Sequence, residues 1–409
     1  MRYITDTVGD IMNEKQNIKD FKKEKEKAES IKNQGKKSSK ILIGVFLAVI
    51  VVIGVYFLTI VNNLSDLSQG TDGAGIDSSV VQGDGFPVSF TSNDIVTAES
   101  FSSRIFVLTG KMLTAIKSDG KIAFTETFTF VEPEMTVSEK YGLIYDRSSS
   151  KYIIFNSKGK VYEGTTDGDR HIITACIDNK GNCAIVTKSD DSACRVYLVN
   201  KSGEIRYIWS CAEEYVVALD ISSDGKEILC GSIGAYNGDI LTKLYKLDTN
   251  SSESEKSFTI LGSGCVGVSF YGKDKAVVTC LDKRVVLDLR TEDGAPTQAE
   301  YSSEAVFIAS DFSGYTAVLT NKINSFNTDE VTLYDKNNSV VFKTEVPQGV
   351  DDICVIGKKV FCLTGDSVLY LNSNGEIKNT AECESKGDGI VILNKKAYYY
   401  TAGSLRTGF

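Results

Sequence analysis

The chain is 409 residues long, 42% hydrophobic and 24% charged. That composition excludes a disordered polymer and leaves room for two or three average domains, or one large repeat domain with additions. The net charge of −9 is unevenly spread: residues 1–40 hold 11 Lys+Arg against 7 Asp+Glu, residues 62–409 hold 34 against 47. An acidic main body argues against nucleic acid as a partner, because phosphate binding needs clustered Lys and Arg.

Residues 1–40 form a Lys-rich tail. Within it, NIKDFKKEKEKAESIKNQGKK (17–37) mixes both signs at i,i+4 spacing, which suits a solvated helix. Its apolar positions (Ile11, Ile18, Phe21, Ile31) make only a thin stripe, so a charged topogenic tail fits better than a docking helix or a clamp on anionic lipid. Residues 41–61, ILIGVFLAVIVVIGVYFLTIV, carry no charge, amide or Pro. At 1.5 Å per residue they span roughly 30 Å, the hydrocarbon thickness of a bilayer, and predict a transmembrane helix. The long n-region and the missing small-x-small site favour an uncleaved signal anchor over a cleaved leader. Lys32, Lys36, Lys37 and Lys40 precede this run, and no Lys or Arg follows until Arg104. The positive-inside rule then places the N-terminus in the cytoplasm and the C-terminal domain outside the cell. Gly44 and Ala48 form a small-xxx-small pair of a kind common in apolar segments.

Residues 62–85, NNLSDLSQGTDGAGIDSSVVQGDG, lack the large apolar groups of a core and read as an acidic Gly/Ser/Asp linker. From residue 86 the chain repeats itself. One hairpin recurs as AIKSDGKIAF (115–124), IFNSKGKVYE (154–163), LVNKSGEIRYIW (198–209) and YLNSNGEIKNT (370–380), with Asn for Gly in TLYDKNNSVVFKTE (332–345). Longer turns interrupt it at 245–260 and 287–301. Gly or Asn supplies the positive φ that such tight turns need. A second hairpin precedes several of these, as in ACIDNKGNCAIVTKS (175–189), ALDISSDGKEILCGS (218–232), SFYGKDKAVVTCLD (269–282) and ASDFSGYTAVLTN (309–321). Two hairpins per roughly 40 residues is the arithmetic of a four-stranded propeller blade. Abundant Gly (35), Tyr (19) and Phe (19) with only 4 Pro fit that reading.

Seven units fit between residues 93 and 385, and residues 388–409 offer three more strands. GFPVSF (85–90) has the length of the missing fourth, and pairing the two ends removes the open edges of a broken ring. The expected fold is therefore all-β: a β-propeller over residues 86–409, of eight blades, with seven as the alternative. Hairpins such as VYLVNKSGEIRYIWS (196–210) resemble quinoprotein-like repeats, and DISSDGKEILCGS (220–232) resembles a WD40-type inner hairpin. Taken whole, the chain resembles a family of Gram-positive single-pass membrane proteins described only as a domain of unknown function. That resemblance implies a fold and a topology but no activity.

No residue is assigned a catalytic, cofactor-binding or metal-ligating role, and no cofactor is expected. The ten Cys lie between 176 and 383 without a CxxC, and Cys183, Cys230, Cys280 and Cys362 sit among Val, Ile and Leu, where Cys acts as a small core hydrophobe. Mostly buried thiols are expected, with room for one or two bridges. His171 is the single His, which speaks against zinc. The Asp-rich turn TTDGDR (165–170) lacks the EF-hand order of calcium ligands. Gly262, Gly264 and Gly267 match GxGxxG but lead into a strand rather than a helix. With one His and no GxSxG elbow, a Ser-His-Asp hydrolase has little support. The run Tyr398–Tyr400 is expected to alternate, Tyr399 packing between blades and its neighbours facing the other side. The expected function is a membrane-tethered scaffold that binds an envelope protein or senses an envelope component. Carbohydrate or wall binding is the alternative, and a propeller enzyme a third.

Overall fold

A computed structural model describes residues 80–81, 85–91, 94–166, 168–251, 255–322 and 327–409. The Lys-rich tail, the apolar run at 41–61 and the linker up to residue 79 lie outside the described residues. The described part contains strands and turns and no helix. Its strands form seven four-stranded sheets and one of five strands, eight blades in all. In chain order we number the blades by residues: 95–127, 133–165, 172–211, 215–261, 265–300, 305–347 and 350–382 for blades one to seven. Each is a plain antiparallel meander, running from an inner strand at the channel to an outer strand at the rim.

Every repeat quoted above lands in a fixed place. The seven DGK-like hairpins join the third strand to the outer strand of blades one to seven, and the second set joins the inner strand to its neighbour. In the outer hairpins Gly120, Gly203 and Gly375 adopt φ of 82°, 82° and 80°, and Asn338 takes 65° at the matching place in blade six. At Gly120 space is as decisive as φ: a Cβ there would lie 2.6 Å from the backbone of Gly85. The turn of blade one thus abuts the segment that closes the ring.

Blade eight takes strands from both ends of the domain. Gly389–Leu393, Lys396–Thr401 and Ser404–Thr407 supply its inner three strands, and Val88–Phe90 adds the fourth through Val88↔Leu405 and Ser89↔Ser404. The sequence expectation of closure by 85–90 is met, with one extension. Val80–Val81, read above as linker, adds a fifth short strand beyond Val88–Phe90. Pro87 precedes the paired residues, so its missing N–H leaves no gap in the ladder.

The core is divided among the blade interfaces. Seven apolar clusters each join two neighbouring blades, among them Val88, Ile105, Val107 and Leu405 between blades eight and one. Middle strands are buried on both faces: Tyr398 packs toward blade one and Tyr399 toward blade seven. The tyrosine run is therefore core, and both members flanking Tyr399 face blade one as alternation requires. The middle-strand cysteines Cys183, Cys230, Cys280 and Cys362 are likewise fully buried among aliphatic side chains.

None of the seven clusters joins blades five and six among the described residues. That seam is polar at its centre. Arg284, only 1% exposed, donates from Nη1 to the Asp335 carbonyl (2.7 Å) and to Asn338 Oδ1 (2.6 Å). Asn338 Nδ2 donates back to the carbonyls of Arg284 (3.1 Å) and Thr297 (2.8 Å). Lys336 Nζ sits 5.0 Å from the centre of the Tyr271 ring. A buried network of this kind is costly when half-satisfied, since a stranded donor keeps its desolvation penalty. Asn338→Gly retains the positive φ while removing the side-chain bonds. It is expected to lower stability by about 1–3 kcal/mol in urea unfolding, whereas an unchanged midpoint would show that the seam does not depend on this clasp.

Candidate functional site

The eight inner strands line a central channel, and their ends define its two mouths. At the mouth where the inner strands finish, blades six, seven, eight, one and two enclose a cavity of about 330 Å³. Its wall includes Glu99, Phe101, Asp311, Phe312, Cys354 and Ile392. Carboxylates enter here by strand geometry, because alternate residues of an inner strand point away from the blade interface.

Several inner-strand acids, in this wall and elsewhere around the ring, already have backbone partners. Asp352 Oδ2 accepts the N–H of Ile390 in the next blade (2.9 Å) and its Oδ1 accepts the N–H of Ile353 (2.8 Å). Asp220 repeats the arrangement between blades four and five with Phe270 N–H (2.6 Å) and Ile221 N–H (2.9 Å). Asp311 Oδ2 accepts Gly357 N–H across blades six and seven (2.6 Å). These carboxylates act as fasteners between inner strands. Burial nonetheless pushes the Asp220 carboxyl up to about 6, against the lowering pull of its two N–H donors.

Glu99 has no such donor among the described residues. Burial, reinforced by the Asp352 charge, pushes its carboxyl up to about 7, so it carries a proton through much of the range below neutrality. The neighbouring Cys354 thiol is pushed up to about 12 by burial and by the charges of Glu99 and Asp352, which makes it a poor nucleophile. The mouth therefore offers one free, titrating carboxyl beside apolar walls. It suits a ligand that brings a hydrogen-bonding or cationic group; among the described residues the other acids of the wall are occupied, Asp311 by the Gly357 N–H and Glu139 by Asn179 Nδ2 (3.1 Å).

The opposite mouth, where inner strands begin, carries two clefts. The first, about 580 Å³, spans blades two to four and is lined by Glu132, Arg147, His171, Lys188 and Tyr215. His171 is exposed there, in mixed-charge surroundings. The second, about 440 Å³, lies on blade four between Glu214, Tyr236, Leu241, Lys243 and Leu261. No group of three His, Cys, Asp or Glu with metal-binding geometry occurs among the described residues. In the turn at 165–170, Asp167 lies outside the described residues and Arg170 pairs with Asp190 at 2.7 Å. The glycines at 262, 264 and 267 run into the inner strand Cys265–Tyr271, so no helix N-terminus faces them.

Sequence reasoning named none of the channel residues. The available signal was weak: a lone acid in the strand IVTAESF, and DD in VDDICVI. Only the ring brings Glu99 of blade one near enough to Asp352 of blade seven for the charge of one to act on the other.

The ring, its mixed-end closure and its channel make this protein an eight-bladed β-propeller. Solved propellers match it over most of its length. BamB from Moraxella catarrhalis aligns at TM-score 0.51 and 12% identity, covering 80% of this chain and 99% of that one. Sqt1 from Saccharomyces cerevisiae aligns at 0.53 and 11%, covering 78% and 97%. AztD from Citrobacter koseri aligns at 0.52 and 10%, covering 79% and 98%. At such identities the likeness is one of fold alone. Comparison with curated proteins finds no match. Residues 87–406 match the family of unknown function DUF5711, and the chain belongs to that family.

The raised Glu99 carboxyl gives a pH test. The native state holds a proton that the unfolded chain has lost, so its contribution to stability declines as pH rises from about 4.5 to about 7 and stays lost above. E99Q should therefore gain stability over the parent at pH 8 and show a smaller difference at pH 4.5. Thermal melts giving the same difference at both pH values would place Glu99 in ordinary solvent.

Proposed function

We propose that this chain is a membrane-anchored, extracellular propeller that binds a protein of the cell envelope. The observation that carries the binding half is an overlong hairpin in blade four. Its strands Glu227–Tyr236 and Asp239–Asp248 have ten residues each, where the middle strands of most other blades have six. The excess projects beyond the inner-strand mouth and presents Tyr236 (59% exposed), Ile240 (49%) and, on the adjoining outer strand, Leu261 (54%). Ile233, Ile240 and Leu281 gather around Gly264 just below. Large apolar side chains exposed together at one tip are the mark of an interaction surface, with Tyr236 as its aromatic anchor. A carbohydrate site would instead favour a clustered aromatic platform, and here the exposed tip mixes one Tyr with aliphatic groups.

The anchoring half rests on the uncharged run at 41–61, its four preceding lysines and the acidic linker that follows. Binding rather than turnover is the role this reading assigns, with the channel acids serving mainly as fasteners.

Crosslinking and affinity capture from the native membrane tests the binding role. One stoichiometric envelope protein is expected, and the double variant Ile240→Asp, Leu261→Asp should cut its recovery at least tenfold with little change in thermal midpoint. Capture that is indifferent to the substitutions would move the interface elsewhere, and recovery of wall polymer alone would sink the protein-binding reading. For topology, protease added to whole cells should release the propeller by cutting after residue 61; a protected domain would reverse the orientation.

A further inference from the structure

All ten cysteines are thiols in this structure. Two pairs stand directly opposite each other in antiparallel ladders: Cys194↔Cys211 on the third and outer strands of blade three, and Cys265↔Cys280 on the inner two strands of blade five. Directly opposed residues place their Cα atoms about 4.5–5.5 Å apart with both side chains on one face. That separation falls within the roughly 4.4–6.8 Å span that a disulfide requires.

The two pairs differ in what their sulfurs touch. In blade five the thiols turn to separate partners: Cys265 donates to the Gly267 carbonyl at 3.7 Å, and Ser263 bonds to Cys280. In blade three both sulfurs converge on each other and on Glu214. Cys194 Sγ donates to the Glu214 carbonyl (3.6 Å) and accepts the Val216 N–H (3.4 Å), while Cys211 Sγ lies 3.7 Å from Glu214 Oε2. Glu214 is also held by Lys243 Nζ and by the Tyr245 hydroxyl at 2.6 Å. Glu214 and Lys243 form part of the wall of the 440 Å³ cleft on blade four, so the thiol pair lies one side chain behind an open surface.

We propose that Cys194 and Cys211 are a redox-active dithiol that closes to a cross-strand disulfide by exchange with a small-molecule disulfide entering past Glu214. Cys211 is the attacking sulfur: it lies against the Glu214 carboxylate in the cleft wall, whereas Cys194 is engaged with the backbone of Glu214 and Val216. Hydrogen bonding within the thiol pair lowers Cys211, while both blade-five thiols are pushed up to about 12 and about 11, chiefly by burial. The Cys211 thiolate attacks one sulfur of R–S–S–R, forming a mixed disulfide and expelling R–S⁻. Cys194 then gives its proton to the expelled R–S⁻, its sulfur attacks Cys211 Sγ, and the second R–S⁻ leaves and takes a proton from solvent. Two protein thiols are oxidised and one disulfide is reduced to two thiols. Closure also removes the Cys211 S–H that faces Glu214, so the oxidation state is registered in the wall of the cleft. None of this depends on the envelope-binding reading.

The test is incubation of the intact, detergent-solubilised protein with glutathione disulfide at neutral pH. The expected result is loss of two of the ten thiols, with peptide mass spectrometry finding Cys194 linked to Cys211. Cys194→Ser should instead retain glutathione on Cys211, since the resolving sulfur is gone, and Cys211→Ser should take up none at Cys194. Native protein that keeps all ten thiols would overturn the proposal. So would closure of Cys265–Cys280 at an equal rate, because opposition in the ladder would then suffice without the Glu214 network. Reaction seen only after unfolding in urea would also overturn it.

Discussion

The pairing of Val88–Phe90 with Ser404–Thr407 is the contact on which the remaining structure depends. Every other blade is a local meander that forms from consecutive residues, whereas blade eight needs two segments more than 300 residues apart. Bringing them together costs loop-closure entropy that grows only slowly with length, and it is offset by burial of Val88 and Leu405 and by removal of an open sheet edge. Once closed, the ring presses each blade on its neighbours, and the channel acquires walls. The close approach of Gly120 to Gly85 shows the same economy: a turn in blade one is shaped to receive the closing segment.

Within the ring, apolar clusters hold seven interfaces, and polar fasteners join them at the channel between blades four and five, six and seven, and seven and eight. Inner strands are narrow at the channel, where few large side chains fit, and there carboxylates take over by accepting N–H groups from the next blade, as Asp220, Asp311 and Asp352 do. Each of these three carboxylates is thereby matched to backbone donors. Glu99 stands apart because no such donor meets it among the described residues. The seam between blades five and six stands apart in the other direction, holding its middle with Arg284 and Asn338 where other interfaces use aliphatic packing. Polar seams demand geometry, since each donor must find its acceptor, whereas apolar ones tolerate small shifts.

Much of the fold was legible in the chain. The DGK-like turns mark the outer hairpins because a tight two-stranded turn needs positive φ, and this requirement is local. The Asn of blade six was readable as a Gly substitute for the same reason; that its amide reaches across to Thr297 and Arg284 was not. The burial of Cys183, Cys230, Cys280 and Cys362 followed from their aliphatic neighbours, and the alternation through Tyr398–Tyr400 followed from the pleat. The cleft residues and the pairing of Cys194 with Cys211 were hidden, since residues 17 apart in sequence meet only when the register of two strands is known.

By itself the sequence determined the class and the strand that closes the ring, and it favoured eight blades over seven, because period, turn chemistry and alternation are properties of short segments. Only the tertiary structure decided which acids serve as fasteners and which remains free, where the polar seam falls, that Val80–Val81 extends the closing sheet, and which thiols share a partner. Those outcomes depend on distances between blades, which are set by ring closure and side-chain packing rather than by any local preference. The closing strand could be named from its length and position; the space it encloses had to be seen.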